Sequence, residues 1–140
     1  MKDLMLWEEC LDKFVRKVSF DPEKFESILE TAEKRWAFVA DIKVTEDNVS
    51  FIFENYYEII KELLVAFMLR KGMRCKNHQC LFTFFLQEHP QFEAEVNLIA
   101  QMSYLRNRLD YYGELVNHDY FIENYKSFEK IIKQLFKLLR

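Results

Sequence analysis

The sequence predicts an all-α protein, an antiparallel up-and-down bundle of five to six helices. Apolar residues recur at steps of three and four through most of the chain, which is the spacing of one helix face. Glycine and proline number two each, too few to supply the turns of hairpins. At 140 residues, half of them apolar, the chain can bury one core, so 1–140 reads as a single domain.

The first helix is expected over 3–18, where Leu4, Trp7, Leu11, Phe14 and Val18 share a face. A second begins at Asp21, a good N-cap residue, with Pro22 at the first helical position. Its stripe is Phe25, Ile28, Leu29, Ala32, Trp36 and Val39, and a polar connection over 41–48 follows. Thr45 is read as the cap of a third helix, whose Ile52, Tyr56, Ile59, Ile60, Leu63, Phe67 and Met68 form a broad apolar face ended by Gly72.

Residues 73–77 read as a short basic loop, and Asn77 as the cap of a fourth helix over 78–89. Strand is the competing reading for 80–85. Pro90 opens a fifth helix that turns Phe92, Val96, Ile99, Ala100 and Leu105 inward and stops at Gly113. Asp119 is read as the cap of the last helix, with Phe121, Tyr125, Phe128, Ile132, Leu135, Phe136 and Leu139 on the apolar side. Lys126, Lys130, Lys133 and Lys137 recur at helical spacing opposite them. They could serve as a phosphate-contacting surface, but a solvated face near the negative end of the helix dipole is the preferred reading.

The net charge of −3 hides an asymmetry. Residues 1–69 hold 9 Lys/Arg against 15 Asp/Glu, and residues 70–140 hold 11 against 8. The C-terminal half is the basic one, yet far below the charge of a dedicated DNA binder. No apolar run approaches a membrane span, and acidic residues stand where the apolar core of a secretory signal would lie, so a cytoplasmic location and no membrane partner are expected. Three cysteines, Cys10, Cys75 and Cys80, are an odd number and fit reduced thiols.

Most chemical signatures are missing. The two glycines lie 41 residues apart, so no glycine-rich phosphate loop exists. No nucleophile-histidine motif occurs in a recognisable local context. Cys75, His78, Cys80 and His89 bring thiols and imidazoles together, but the spacing is not that of a structural zinc site, and neither metal nor cofactor is expected. Glu8/Glu9 and Glu93/Glu95 sit among charged surface positions and read as solvated helix faces.

The stretch over 104–121 is different. Arg106 and Asp110 are i,i+4 neighbours on a helix, as are Asn107 with Tyr111 and Arg108 with Tyr112, so a polar and aromatic patch forms at the helix end. Arginine offers a planar fork for phosphate, asparagine can read a base edge, and tyrosines provide stacking faces. A structural network, with Arg106 paired to Asp110 and the tyrosines covering the bundle end or a partner protein, accounts for the same residues.

Two stretches resemble the HEPN superfamily of nucleotide-binding helical domains found in prokaryotic and archaeal proteins. Residues 54–85 are similar to that family's central helix, glycine and basic loop, with His78 opening the next helix. The stretch at Leu105 to Glu114 looks like the R-N-x3-H version of its R-x4-6-H motif, with Arg106 and Asn107 matching the first two positions. The likeness spans roughly 22–140.

The resemblance implies a homodimer that handles nucleotide or RNA. In active members it implies metal-independent RNA cleavage by the motif's histidine and arginine, as in toxins opposed by a minimal nucleotidyltransferase antitoxin. Other members resemble the substrate-binding part of such transferases. Here Tyr111, Tyr112 or Gly113 stands where the histidine belongs. A phenol is about 0.1% ionised at neutral pH, which removes most of a general base's contribution of roughly 100- to 10,000-fold. The expectation is therefore binding without catalysis, through Arg106, Asn107, Asp110, Tyr111 and Tyr112. One alternative is a ribonuclease in which a tyrosine or the nearby His118 replaces the base, and another is a purely structural bundle whose aromatic helix end packs against a partner protein.

Overall fold

The computed structural model describes residues 4–140. Among these, six α-helices form the bundle: α1 (Trp7–Lys13), α2 (Pro22–Ala40), α3 (Val49–Arg70), α4 (His78–Glu88), α5 (Glu93–Tyr112) and α6 (His118–Leu139). α3 is the central rod. It buries 14 of its 22 residues, and a helix apolar on nearly every side belongs in the interior. α2, α4, α5 and α6 all pack on it. No described helix is long and apolar enough to cross a membrane.

Several helix ends follow the local chemistry expected of them. The Asp21 carboxylate accepts from the Glu23 and Lys24 amides, with Pro22 at the first helical position. Asn77 accepts from the Gln79 amide, and 80–85 is helix rather than strand. Gly113 adopts φ 64°, a left-handed conformation open to glycine at no steric cost. The two amides beyond the end of α5 then turn back, Gly113 to the Leu109 carbonyl and Glu114 to that of Arg108.

Two caps lie elsewhere. The third helix starts at Val49, not beside Thr45, with Asn48 at the cap position. Thr45 and Asn48 instead bond reciprocally, each side-chain oxygen accepting from the other's amide, and close the preceding turn. The last helix is capped by Asn117, whose carboxamide accepts from the Tyr120 amide, while Asp119 lies inside the first turn. Pro90–Phe92 forms a single 3-10 turn ahead of α5 rather than its first turn.

The N-terminal reading needs the largest correction. The helix expected over 3–18, whose Asp3 lies outside the described residues, runs only from Trp7 to Lys13. Val15–Lys17 is a strand, β1, paired antiparallel with β2 (Met73–Cys75) inside the expected basic loop. The register is Val15 opposite Cys75 and Lys17 opposite Met73. Gly72, at φ 73°, lets the chain turn out of α3, and its carbonyl accepts from the Val18 amide at 2.9 Å. A Cβ there would lie 3.3 Å from the Val18 carbonyl oxygen, so glycine also suits the close approach.

The expectation of reduced thiols is corrected as well. Cys10 and Cys80 are joined in a disulfide, with Cα atoms 5.6 Å apart, and only Cys75 is free. The cause is tertiary: α1 packs on α4, with the Trp7 ring 5.6 Å from that of Phe84, which places both sulfurs in one buried contact.

Candidate functional site

α3 carries an interruption in its apolar surface. Glu54, Tyr57, Glu58 and Lys61 follow one another at steps of three, one and three, so they form a single ridge. α5 turns Ser103, Arg106 and Asp110 toward this ridge at the same helical spacing, and His78 arrives at the first turn of α4. Residues far apart in the chain thus meet in one polar cluster beside the core.

Arg106 stands at its centre. Its Nε lies 2.9 Å from Asp110 Oδ2, and the two side chains keep 24% and 30% of their surface exposed. This is the i,i+4 ion pair expected from spacing. The pairing is ionic rather than a well-aligned hydrogen bond, because the buried Nε–H has no acceptor in line. One Nη1 donates to Asn107 Oδ1 at 3.4 Å, and the guanidinium carbon lies 5.9 Å from the centre of the Tyr57 ring.

Glu54 faces the same pair. Its carboxyl pKa is pushed up to about 7, first by the hydrogen bond it shares with Asp110, then by burial and by the Asp110 charge, with Arg106 opposing. Glu54 thus keeps its proton up toward neutral pH, beside Asp110 and the Arg106 guanidinium. Such a perturbation by a defined partner marks candidate functional sites.

Behind Arg106 the Tyr57 hydroxyl and His78 Nδ1 lie 2.8 Å apart and share a hydrogen bond. Burial raises the Tyr57 pKa to about 12, while a hydrogen bond with Ser103 and the Arg106 charge pull it down. His78 is held below its ordinary pKa, mainly by burial and then by the Lys61 and Arg106 charges. Both groups are therefore neutral at pH 7.

An open cleft of ≈ 710 Å³ lies between α5 and the start of α4. Gln79, Asn97, Gln101, Ser103, Tyr104 and Asn107 place polar groups in walls that are apolar over most of their area, with Leu98 and Ala100 between them. Ser103 belongs both to the cleft and to the Tyr57 network, so cluster and cleft adjoin.

Of the residues singled out by sequence, Arg106, Asn107 and Asp110 are brought together. Tyr111 and Tyr112 are not part of the cluster and stand 74% and 68% exposed. Tyr112 instead lies 4.5 Å beneath the guanidinium of Arg108, whose Nε donates to Glu114 at 2.8 Å. His118 opens α6, with its Nδ1 3.9 Å from Asp119, and among the described residues no bond joins it to Arg106. The thiol-imidazole set disperses. The Cys80 sulfur is bonded to Cys10, His78 to Tyr57, and His89 packs among Phe67, Phe85 and Phe92.

Sequence reasoning missed Glu54, Tyr57, Ser103 and the inward role of His78. The available signal was Glu54 on the most apolar helix of the chain, a carboxyl that a polar group on a neighbouring helix can satisfy, whereas Glu58 and Lys61 pair with each other within α3. No protein-family model, curated protein or solved structure matches this chain.

The raised Glu54 pKa carries a consequence for stability. Its folded-state value lies above the ordinary 4.5, so its contribution is fully present below that value and is lost as pH rises through about 7. With solvent screening of a partly exposed group, going from about pH 5 to about pH 8 should cost roughly 1 kcal/mol. Glu54→Gln keeps a hydrogen-bond donor toward Asp110 without the titration, and should flatten this slope. Thermal unfolding of both proteins across that range checks it; parallel profiles would contradict the assignment.

Proposed function

We propose that this chain is a HEPN-like protein that binds nucleotide or RNA through Arg106 without catalysing a reaction on it. The observation that carries this reading is a partly buried guanidinium, with surface left over from its contacts to Asp110 and Asn107, next in sequence to Asn107, which lines a cleft of nucleotide size that Arg106 itself does not line. Asp110 and Asn107 engage Nε and Nη1, which leaves further N–H donors of the fork for a phosphate. Partial burial strengthens such a contact by removing competing water. The same resemblance leads us to expect a homodimer, with a minimal nucleotidyltransferase as a candidate partner.

Calorimetric titration with a nucleoside monophosphate and with short single-stranded RNA tests the reading. Arg106→Ala should weaken binding about 10- to 100-fold, the worth of a hydrogen bond to a charged group. Arg106→Lys should fall between, because it keeps the charge and loses the fork. Unchanged affinity in the alanine variant would set the reading aside.

One observation favours a second reading, a metal-independent endoribonuclease. Glu54, its pKa pushed up to about 7, stands beside Asp110 and the Arg106 cation, which supplies an acid-base group and a stabiliser of phosphorane charge without the motif histidine. The same preparations, incubated with RNA in EDTA, separate the two. Fragments from the wild type that are lost in Glu54→Gln favour cleavage, and intact RNA with retained binding favours the first reading.

A further inference from the structure

We propose that the cleft beside Tyr104 is a nucleobase pocket that reads the carbonyl-bearing edge of an unpaired base through the carboxamide N–H groups of Asn107 and Gln101. This rests on the reading of the chain as a nucleotide or RNA binder and names the part of the ligand that an arginine-phosphate contact cannot distinguish.

The cleft, at ≈ 710 Å³, has the size of a small-molecule site. Its walls, apolar over most of their area, carry carboxamides and hydroxyls and no formal charge. A charged ligand group placed there would stay unpaired, whereas a neutral heteroaromatic ring can satisfy every wall group it covers. Tyr104 is 61% exposed at the rim and offers a stacking face, which any base can use.

Selectivity comes from how two carboxamides are oriented. A guanidinium has only donors, so the atom of Asn107 that faces Arg106 Nη1 at 3.4 Å is its oxygen, and its NH2 is left for the cleft. The Gln101 oxygen accepts from the Tyr120 hydroxyl at 2.8 Å. Because the oxygen takes that bond, the Gln101 NH2 remains as a donor, on a residue that borders the cleft as well as the hollow beside Tyr120. Two held donors prefer acceptors such as O6 and N7 of an oxo-purine or O4 of uracil. Adenine presents a donor, N6–H2, where the oxo-purine has O6.

Inosine and adenosine differ at that position, and neither carries a phosphate. Calorimetric titration of the full chain with each, and with inosine 5′-monophosphate, is the experiment. Inosine should bind about tenfold more tightly than adenosine, and Asn107→Ala or Gln101→Ala should each erase most of that preference. Tyr104→Ala should weaken both nucleosides alike. These three residues are exposed, so circular dichroism should show unchanged helicity in the variants. If the monophosphate binds in an Arg106-dependent way while the nucleosides bind equally or not at all, the pocket is overturned and the phosphate reading stands. If neither nucleosides nor monophosphate bind, both fall.

Discussion

Reducing the Cys10–Cys80 disulfide is expected to lower the unfolding free energy by about 4 kcal/mol, the chain-entropy value for a closed loop of this length. The bond spans 70 residues, from the short α1 to α4. α1 has seven residues and buries only Cys10, so it cannot sustain itself as an isolated helix. Besides the bond, it is held through the Trp7–Phe84 contact and the β1–β2 pairing that follows it. Urea unfolding with and without reductant measures the loss, and a Cys10→Ala/Cys80→Ala double variant should reproduce it without reductant. Amide exchange should rise first in α1. A change below about 1 kcal/mol would show that noncovalent packing holds this end unaided.

Phe128→Ala should be nearly as costly, about 3–5 kcal/mol. Phe128 is fully buried and is the hub of an aromatic cluster joining α3 to α6, with ring centres 5.8 Å from Phe53, 6.2 Å from Tyr56 and 6.1 Å from Phe121. Alanine leaves a cavity between two long helices that can collapse only in part, and it removes edge-to-face contacts as well as buried area. Phe51, on the outer side of α3 and 58% exposed, is the matched control, and its truncation should fall within about 0.5 kcal/mol of wild type. Equal effects at the two positions would mean that the packing between α3 and α6 is wrongly assigned.

The bundle was legible because α2 to α6 advertise themselves locally. Asp21, Asn77 and Gly113 act within one turn of their own position, so spacing and residue type suffice to place them. The N-terminal segment was misread because Leu11, Phe14 and Val18 keep helical spacing while what makes Val15–Lys17 a strand, its partner at 73–75, lies far along the chain. Leu11 and Phe14 turn out to be exposed. The disulfide was hidden for the same reason, since pairing depends on two helices meeting. At the candidate site the intrahelical part could be read: Arg106 with Asp110, and Arg108 with Tyr112. The groups that change its chemistry, Glu54 and the Tyr57–His78 pair, come from other helices and become neighbours only through the fold.

The covalent link from α1 to α4 also divides how the molecule answers to force. Pulled from its two ends, the chain can extend through the segment before Cys10 and through everything after Cys80, but the ring between them stays out of the line of tension. That shields roughly 250 Å of contour, at about 3.6 Å for each of the 70 residues spanned. α2 and α3 lie inside the ring, so the central rod would bear no direct load, whereas α5 and α6, including Arg106, would be stripped from it first. Adding reductant would release the hidden length as one discrete lengthening.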